Sequence, residues 1–153
     1  MKKIASFTVN HDTLQKGMYI SRIDGDIVTY DIRMKLPNGG DYLHMSAAHT
    51  LEHLFATYAR NSKFGEHVIY VGPMGCRTGF YFLVRDKISH EQAIALVKES
   101  MAFARDFEGE IPGNKKEECG NYLDHDLAGA KKIGGEMAIV LENWTVEKLQ
   151  YQK

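Results

Sequence analysis

The chain predicts an α+β domain, with helices packed on one face of an antiparallel sheet. Three observations carry that expectation: a stretch of strict apolar–polar alternation, two short apolar runs bounded by turn residues, and three segments with helical spacing or caps. A length of 153 residues suits a single domain spanning 1–153, with a core that needs no disulfide framework.

The alternation runs from Val28 to Leu36. Val28, Tyr30, Ile32, Met34 and Leu36 are apolar, while Thr29, Asp31, Arg33 and Lys35 between them are polar. That period predicts a strand with one buried face and one face that is solvated or lines an active site. Pro37-Asn38-Gly39-Gly40 supplies the turn that ends it. From Ser46 to about Arg60, Leu51, Leu54, Phe55 and Tyr58 share one helical face, with Ser46 as the expected N-cap. Val68–Val71 is a short strand halted by Gly72-Pro73, and Phe80–Val84 a strand for the sheet centre. Ser89 and Gln92 form a capping box that opens a helix to about Phe107, with Ile94, Val97, Met101 and Ala104 as its core stripe. A final helix runs from Leu127 to about Asn143, weakened by Gly134-Gly135 in its middle.

Composition excludes several classes of function. Nineteen Lys and Arg against twenty Asp and Glu give a net charge of −1, which leaves no basic surplus for nucleic acid. The longest apolar runs, such as Phe80–Val84, hold five residues, too few for a membrane span. Met1-Lys2-Lys3-Ile4 opens no secretory signal, so a cytoplasmic protein is expected. Two cysteines, Cys76 and Cys119, in unlike surroundings fit separate thiols in a reducing compartment better than a disulfide.

The chemistry concentrates at His49-Thr50-Leu51-Glu52-His53. On a helix His49 and His53 stand one turn apart on one face, close enough to share an ion, and Glu52 lies beside them as a general acid or base. Two surface histidines that happen to be spaced by four would look the same. A third ligand has to come from elsewhere, and Cys119, in the polar loop Glu117-Glu118-Cys119-Gly120, is the candidate; the alternative is an inert buried thiol. Two His and one Cys would leave a position open, as catalytic sites do. Cys76 sits in Gly72-Pro73-Met74-Gly75-Cys76-Arg77-Thr78-Gly79, a tight loop with amides free to face a ligand, where Arg77 could favour the thiolate. An incidental cysteine in a turn is the competing reading.

Taken together, HTLEHL at 49–54, PMGC-x-TG at 73–79 and EECG at 117–120 resemble the S-ribosylhomocysteine lyase (LuxS) family. Ser6-Phe7 with His11, Asp31-Ile32-Arg33, His125-Asp126-Leu127 and Gly129-Ala130-Lys131 resemble it too, so the likeness covers roughly residues 5–132 in order. The resemblance implies a LuxS-like homodimer with its active site at the subunit interface. It implies cleavage of S-ribosyl-L-homocysteine to L-homocysteine and 4,5-dihydroxy-2,3-pentanedione, the autoinducer-2 precursor. His49, His53 and Cys119 would hold one divalent metal per subunit, Fe(II) in the cell and Zn(II) after purification. Glu52 and Cys76 would be the acid–base pair, and Ser6, His11 and Arg33 would line the substrate pocket. Two carbonyl-shifting isomerisations followed by β-elimination need a Lewis acid and two flanking proton carriers, which this set of residue types supplies.

Three positions depart from the family pattern: Tyr70 where an acidic residue is usual, Asn10 where Asp is common, and Arg77 where Gln is common. All three fall around the expected sugar pocket. Two other readings compete. H-x-x-E-H is also the signature of inverzincin metallopeptidases, with Glu117 or Glu118 as a third ligand, but that reading gives Cys76 no task. A non-catalytic or inactive metal-binding member predicts a closed four-ligand site.

Overall fold

The alternating stretch does form a strand, shorter than its pattern implies. In the computed structural model, which describes residues 1–152, it spans Ile27–Arg33 and is the second strand, β2, preceded by β1 at Gly17–Asp24. Strands β3, Val68–Pro73, and β4, Gly79–Arg85, follow the first helix, α1, Met45–Asn61. Helices α2, His90–Asp106, and α3, Leu127–Val140, come after the sheet. The strands pair antiparallel in the order β1-β2-β4-β3. Val28, Tyr30 and Ile32 of β2 and Phe80, Phe82 and Val84 of β4 share one buried cluster with Leu51, Leu54 and Phe55 of α1. Ile94, Val97 and Met101 of α2 and Ala130, Ile133 and Met137 of α3 complete that cluster, each fully buried large side chain contributing about 1.5–3 kcal/mol. The fold is the expected α+β arrangement.

Strand β1 carries no strong periodic signal and was not anticipated. It joins β2 through the two-residue turn Gly25-Asp26, with Gly25 at φ 60° and Asp24 paired to Ile27. At its start Gly17 has φ 153°, and a Cβ there would run into the ring of Trp144. That ring packs against the strand start, and its Nε1 donates to the Met18 carbonyl at 2.9 Å.

The cap of α2 is as expected: Ser89 Oγ accepts from Gln92 N and Gln92 Oε1 accepts from Ser89 N, at 3.1 and 2.9 Å. The start of α1 differs. Leu43 is buried and its N–H donates to the Arg77 carbonyl at 2.8 Å, which turns the chain into the helix early; His44 takes the N-cap position and Ser46 lies inside. Helix α3 is capped by Asp126, whose Oδ1 accepts from Gly129 N at 2.9 Å, and it ends at Val140 rather than Asn143. Gly134 serves packing there, since a Cβ would stand 2.8 Å from the Met101 carbonyl of α2.

Because side chains alternate along a strand, Thr29, Asp31 and Arg33 of β2 point away from the helices. Asp31 and Arg33 are nevertheless only 1% and 3% exposed. Ser6, Phe7, Val9, His11 and Tyr151 line the cavity over them. Among the described residues no helix is long and apolar enough to cross a membrane.

Candidate metal centre and thiol pocket

Helix α1 presents His49 and His53 on one face, as their spacing requires. Each ring is aimed by a backbone carbonyl: His49 Nδ1–H donates to Asp124 O and His53 Nδ1–H to Pro112 O, both at 2.7 Å. The carbonyls fix the tautomer and leave both Nε2 lone pairs free, the usual support of a metal-binding imidazole. Gly113, at φ 74°, lets the chain come close, because a Cβ there would lie 3.1 Å from His53 Nδ1. Cys119 Sγ stands 3.4 Å from His49 Nε2 and 3.9 Å from His53 Nε2. The three expected ligands therefore converge.

A fourth donor joins them. His125 stacks on His49 with ring centroids 4.1 Å apart, and one donor atom from each of His49, His53, Cys119 and His125 falls within 4.8 Å of the others. Thr50 Oγ1 donates to the Ser46 carbonyl at 3.1 Å, so His125 Nδ1, 2.9 Å away, donates to that oxygen. His125 Nε2 is then a bare acceptor, buried without a partner. Burial, then the neighbouring His49 and His53, hold His125 below the usual imidazole range. The ring nitrogens of three histidines, one of them buried without a partner, and one thiol suit a single metal ion. The centre is not sealed. His49 and Glu52 line a cavity of about 530 Å³ together with Met74, Gly75 and Arg77.

Cys76, between Gly75 and Arg77 in the chain, lines a different cavity. It shares a cavity of about 260 Å³ with Ser6, His11, Arg33, Tyr81 and Tyr151. Arg33 Nη2 donates to Asp31 Oδ2 and Arg33 Nη1 to Thr78 Oγ1, both at 2.7 Å, and Thr78 Oγ1 is 3.1 Å from Cys76 Sγ. Burial disfavours the Arg33 charge, but Asp31, by its charge and its hydrogen bond, with Cys76 and Tyr151 nearby, holds the guanidinium above its usual range. The cation of this cavity is thus Arg33. Arg77, expected to influence the thiol, instead has its guanidinium over the Tyr42 ring at 5.6 Å. Its φ of 61° marks a strained loop position beside the cysteine.

The expected residues thus fall into two groups within one chain. His49, His53, Cys119 and Glu52 belong to the α1 side, and Ser6, His11, Arg33 and Cys76 to the outer face of the sheet. Glu52 and Cys76 line different cavities. Tyr70 lines neither; it borders a third groove, with Ile4, Ser6, Ser21 and Tyr81. His125, Thr50, Asp31 and Thr78 were not singled out from the sequence for the roles they take here. A His six positions after Cys119 was the available signal for the first of them.

The family described as S-ribosylhomocysteinase (LuxS) matches residues 4–148. A protein of Clostridium acetobutylicum named S-ribosylhomocysteine lyase is 46% identical, covering 99% of both chains. One of the same name from Phocaeicola vulgatus is also 46% identical, over 99% of this chain and 98% of its own. Another, from Borrelia garinii subsp. bavariensis, is 40% identical over 99% of each.

Proposed function

Since the chain belongs to the S-ribosylhomocysteinase (LuxS) family, we propose that it is a carbon–sulfur lyase that cleaves S-ribosyl-L-homocysteine to L-homocysteine and 4,5-dihydroxy-2,3-pentanedione. The whole stretch 1–153 acts as one metalloenzyme domain. The observation that carries this reading is the convergence of His49, His53 and Cys119, with His49 and Glu52 lining one cavity. Those three residues hold one divalent metal per subunit, with His125 against them; the metal is Fe(II) in the cell and Zn(II) after purification. When bound, it supplies Lewis-acid polarisation of the sugar's oxygens.

The protein's own groups move the protons. Cys76 Sγ, as thiolate, takes a proton from one sugar carbon and returns it to the neighbouring one. Thr78 Oγ1, polarised by Arg33, donates to the sulfur while it is charged. Glu52 gives and takes protons on the opposite side, and in the last step Cys76 or Glu52 removes the proton whose loss expels homocysteine. Each such carrier contributes on the order of 10²–10⁴-fold in rate. Ser6, His11 and Arg33 orient the ribose.

Two carriers that line separate cavities need bringing together, and a second copy of the chain does so. The product pathway then runs through a cytoplasmic homodimer whose active site lies at the subunit interface. Ile4, Phe7 and Tyr70, 57%, 69% and 52% exposed around the outer-sheet grooves, support that arrangement as a surface for the partner subunit.

Two variants separate the roles. Cys119→Ala should lose the metal. Cys76→Ala should keep it and form no pentanedione, assayed by trapping the vicinal diketone with an aromatic diamine. Full metal in Cys119→Ala would overturn the ligand set, and diketone from Cys76→Ala would overturn the proton carrier. Unchanged hydrolysis of a peptide panel by Cys76→Ala would instead mark a metallopeptidase.

A further inference from the structure

Tyr151 lies beyond the stretch that the family matches, which ends at residue 148, yet it reaches the Cys76 cavity. Its hydroxyl donates to Asp31 Oδ2 at 2.7 Å. That oxygen also accepts from Arg33 Nη2, Arg33 Nη1 donates to Thr78 Oγ1, and Thr78 meets Cys76 Sγ. Hydrogen bonds therefore run without a break from Tyr151 to the sulfur, through three residues no more than 3% exposed.

We propose that Tyr151 is a positioning residue for Cys76, acting through Asp31, Arg33 and Thr78. This rests on the reading that Cys76 is the proton carrier of the lyase. The Tyr151 ring is itself fixed. It stacks on Tyr19 at 5.1 Å, Tyr19 meets Trp144 edge-on at 5.8 Å, and the 3-10 turn Val146–Leu149 before it is pinned by the buried Leu149. The buried ion pair depends on this outside donor. Asp31 Oδ1 and Arg33 Nε have no partner, so Oδ2 carries the contacts of the carboxylate, and Tyr151 supplies one of its two. Without that hydroxyl, Asp31 keeps more of its negative charge and draws more strongly on the Arg33 fork. Arg33 then polarises Thr78 less, and the cation is more fully cancelled where the sulfur needs it. Burial and the charge of Asp31 hold the Tyr151 hydroxyl far above its usual range, so it remains a donor throughout the working pH range.

The test is the rate of Cys76 alkylation by iodoacetamide from pH 6 to 9, on metal-loaded protein, with the modified site assigned by peptide mass. The groups facing the sulfur from the surrounding elements are Arg33, Asp31, Tyr81 and His11, with Arg77 adjacent in its own loop. All are kept in Tyr151→Phe and Tyr151→Leu, so differences from the wild type isolate position 151. Tyr151→Phe retains the stacked ring and loses only the donor. It should slow alkylation roughly threefold near neutral pH, the scale of one weakened hydrogen bond, with the deficit closing as pH rises. Its kcat should fall by a similar factor with KM nearly constant. Wild-type alkylation in Tyr151→Phe at every pH overturns the proposal, and so does a normal Phe variant beside a slowed Leu variant, which would show packing alone. If the wild type turns over no S-ribosylhomocysteine while Tyr151→Phe still slows alkylation, the lyase reading falls and the positioning role stands.

Discussion

Thr50 shows how much of the metal centre depends on one oxygen. Fully buried on α1, its Oγ1 donates to the Ser46 carbonyl, accepts from Asp126 N and meets His125 Nδ1, at 3.1, 2.9 and 2.9 Å. It thus ties the helix that carries His49 and His53 to the segment that carries His125 and caps α3. Thr50→Val keeps the shape and leaves two buried polar groups unpaired. The expected loss is about 2–3 kcal/mol, seen as a lower thermal midpoint, with metal held roughly tenfold less tightly against a competing chelator. The HTLEHL pattern made His49, Glu52 and His53 legible because a helix converts spacing into a shared face. Thr50, in the same motif, was not, since its task is defined by residues 75 and 76 positions away. Arg77 was misread for a similar reason. Adjacency in sequence suggested a cation beside Cys76, but a φ of 61° turns that residue away and Arg33 arrives from the neighbouring strand.

At the scale of elements, local signals and tertiary signals part company. The capping box of α2 and the alternation of β2 are local, and both were readable. Strand β1 was missed, although Gly25-Asp26 between apolar runs is a hairpin signal, because its burial depends on β2 on one side and Trp144 on the other. The polar positions of β2 are expected on a solvated or active-site face, and in the fold Asp31 and Arg33 are buried along a cavity. Asp31 and Arg33 are buried because residues distant in sequence cover them. The inner face of β2 makes its own prediction. Tyr30 is fully buried with its hydroxyl 2.6 Å from His90 Nδ1, and burial pushes that hydroxyl up to about 12 from 10.0. A raised folded value favours the protonated native state. Its stabilisation is therefore complete below about pH 10 and lost as pH rises through about 12, on the order of 2–3 kcal/mol in all. Urea unfolding at several pH values should show this alkaline decline, and Tyr30→Phe should start less stable at pH 8 but decline less steeply above pH 10.

Over the whole molecule, the candidate residues line two cavities that share Met74 and Gly75. His49 and Glu52 of α1 border one, while Cys76 with Ser6, His11 and Arg33 borders the other. The sequence motifs name both sets as candidates; that they line different cavities depends on contacts between segments distant in sequence. A dimer that shares its sites predicts complementation. Cys76→Ala and Cys119→Ala, each inactive, should recover about a quarter of wild-type activity when unfolded and refolded together in equal amounts, because half the dimers are mixed and each contains one intact site. No recovery, despite mixed dimers confirmed by mass, would place both carriers of a site in one chain. The lyase reaction itself is tested by homocysteine release from S-ribosylhomocysteine by the Fe(II)-loaded protein under anaerobic conditions, with Cys76→Ala subtracting the signal of the protein's own thiols. Metal-dependent release at rates well above that variant is the predicted result; no release from folded, fully metal-loaded protein would contradict the account.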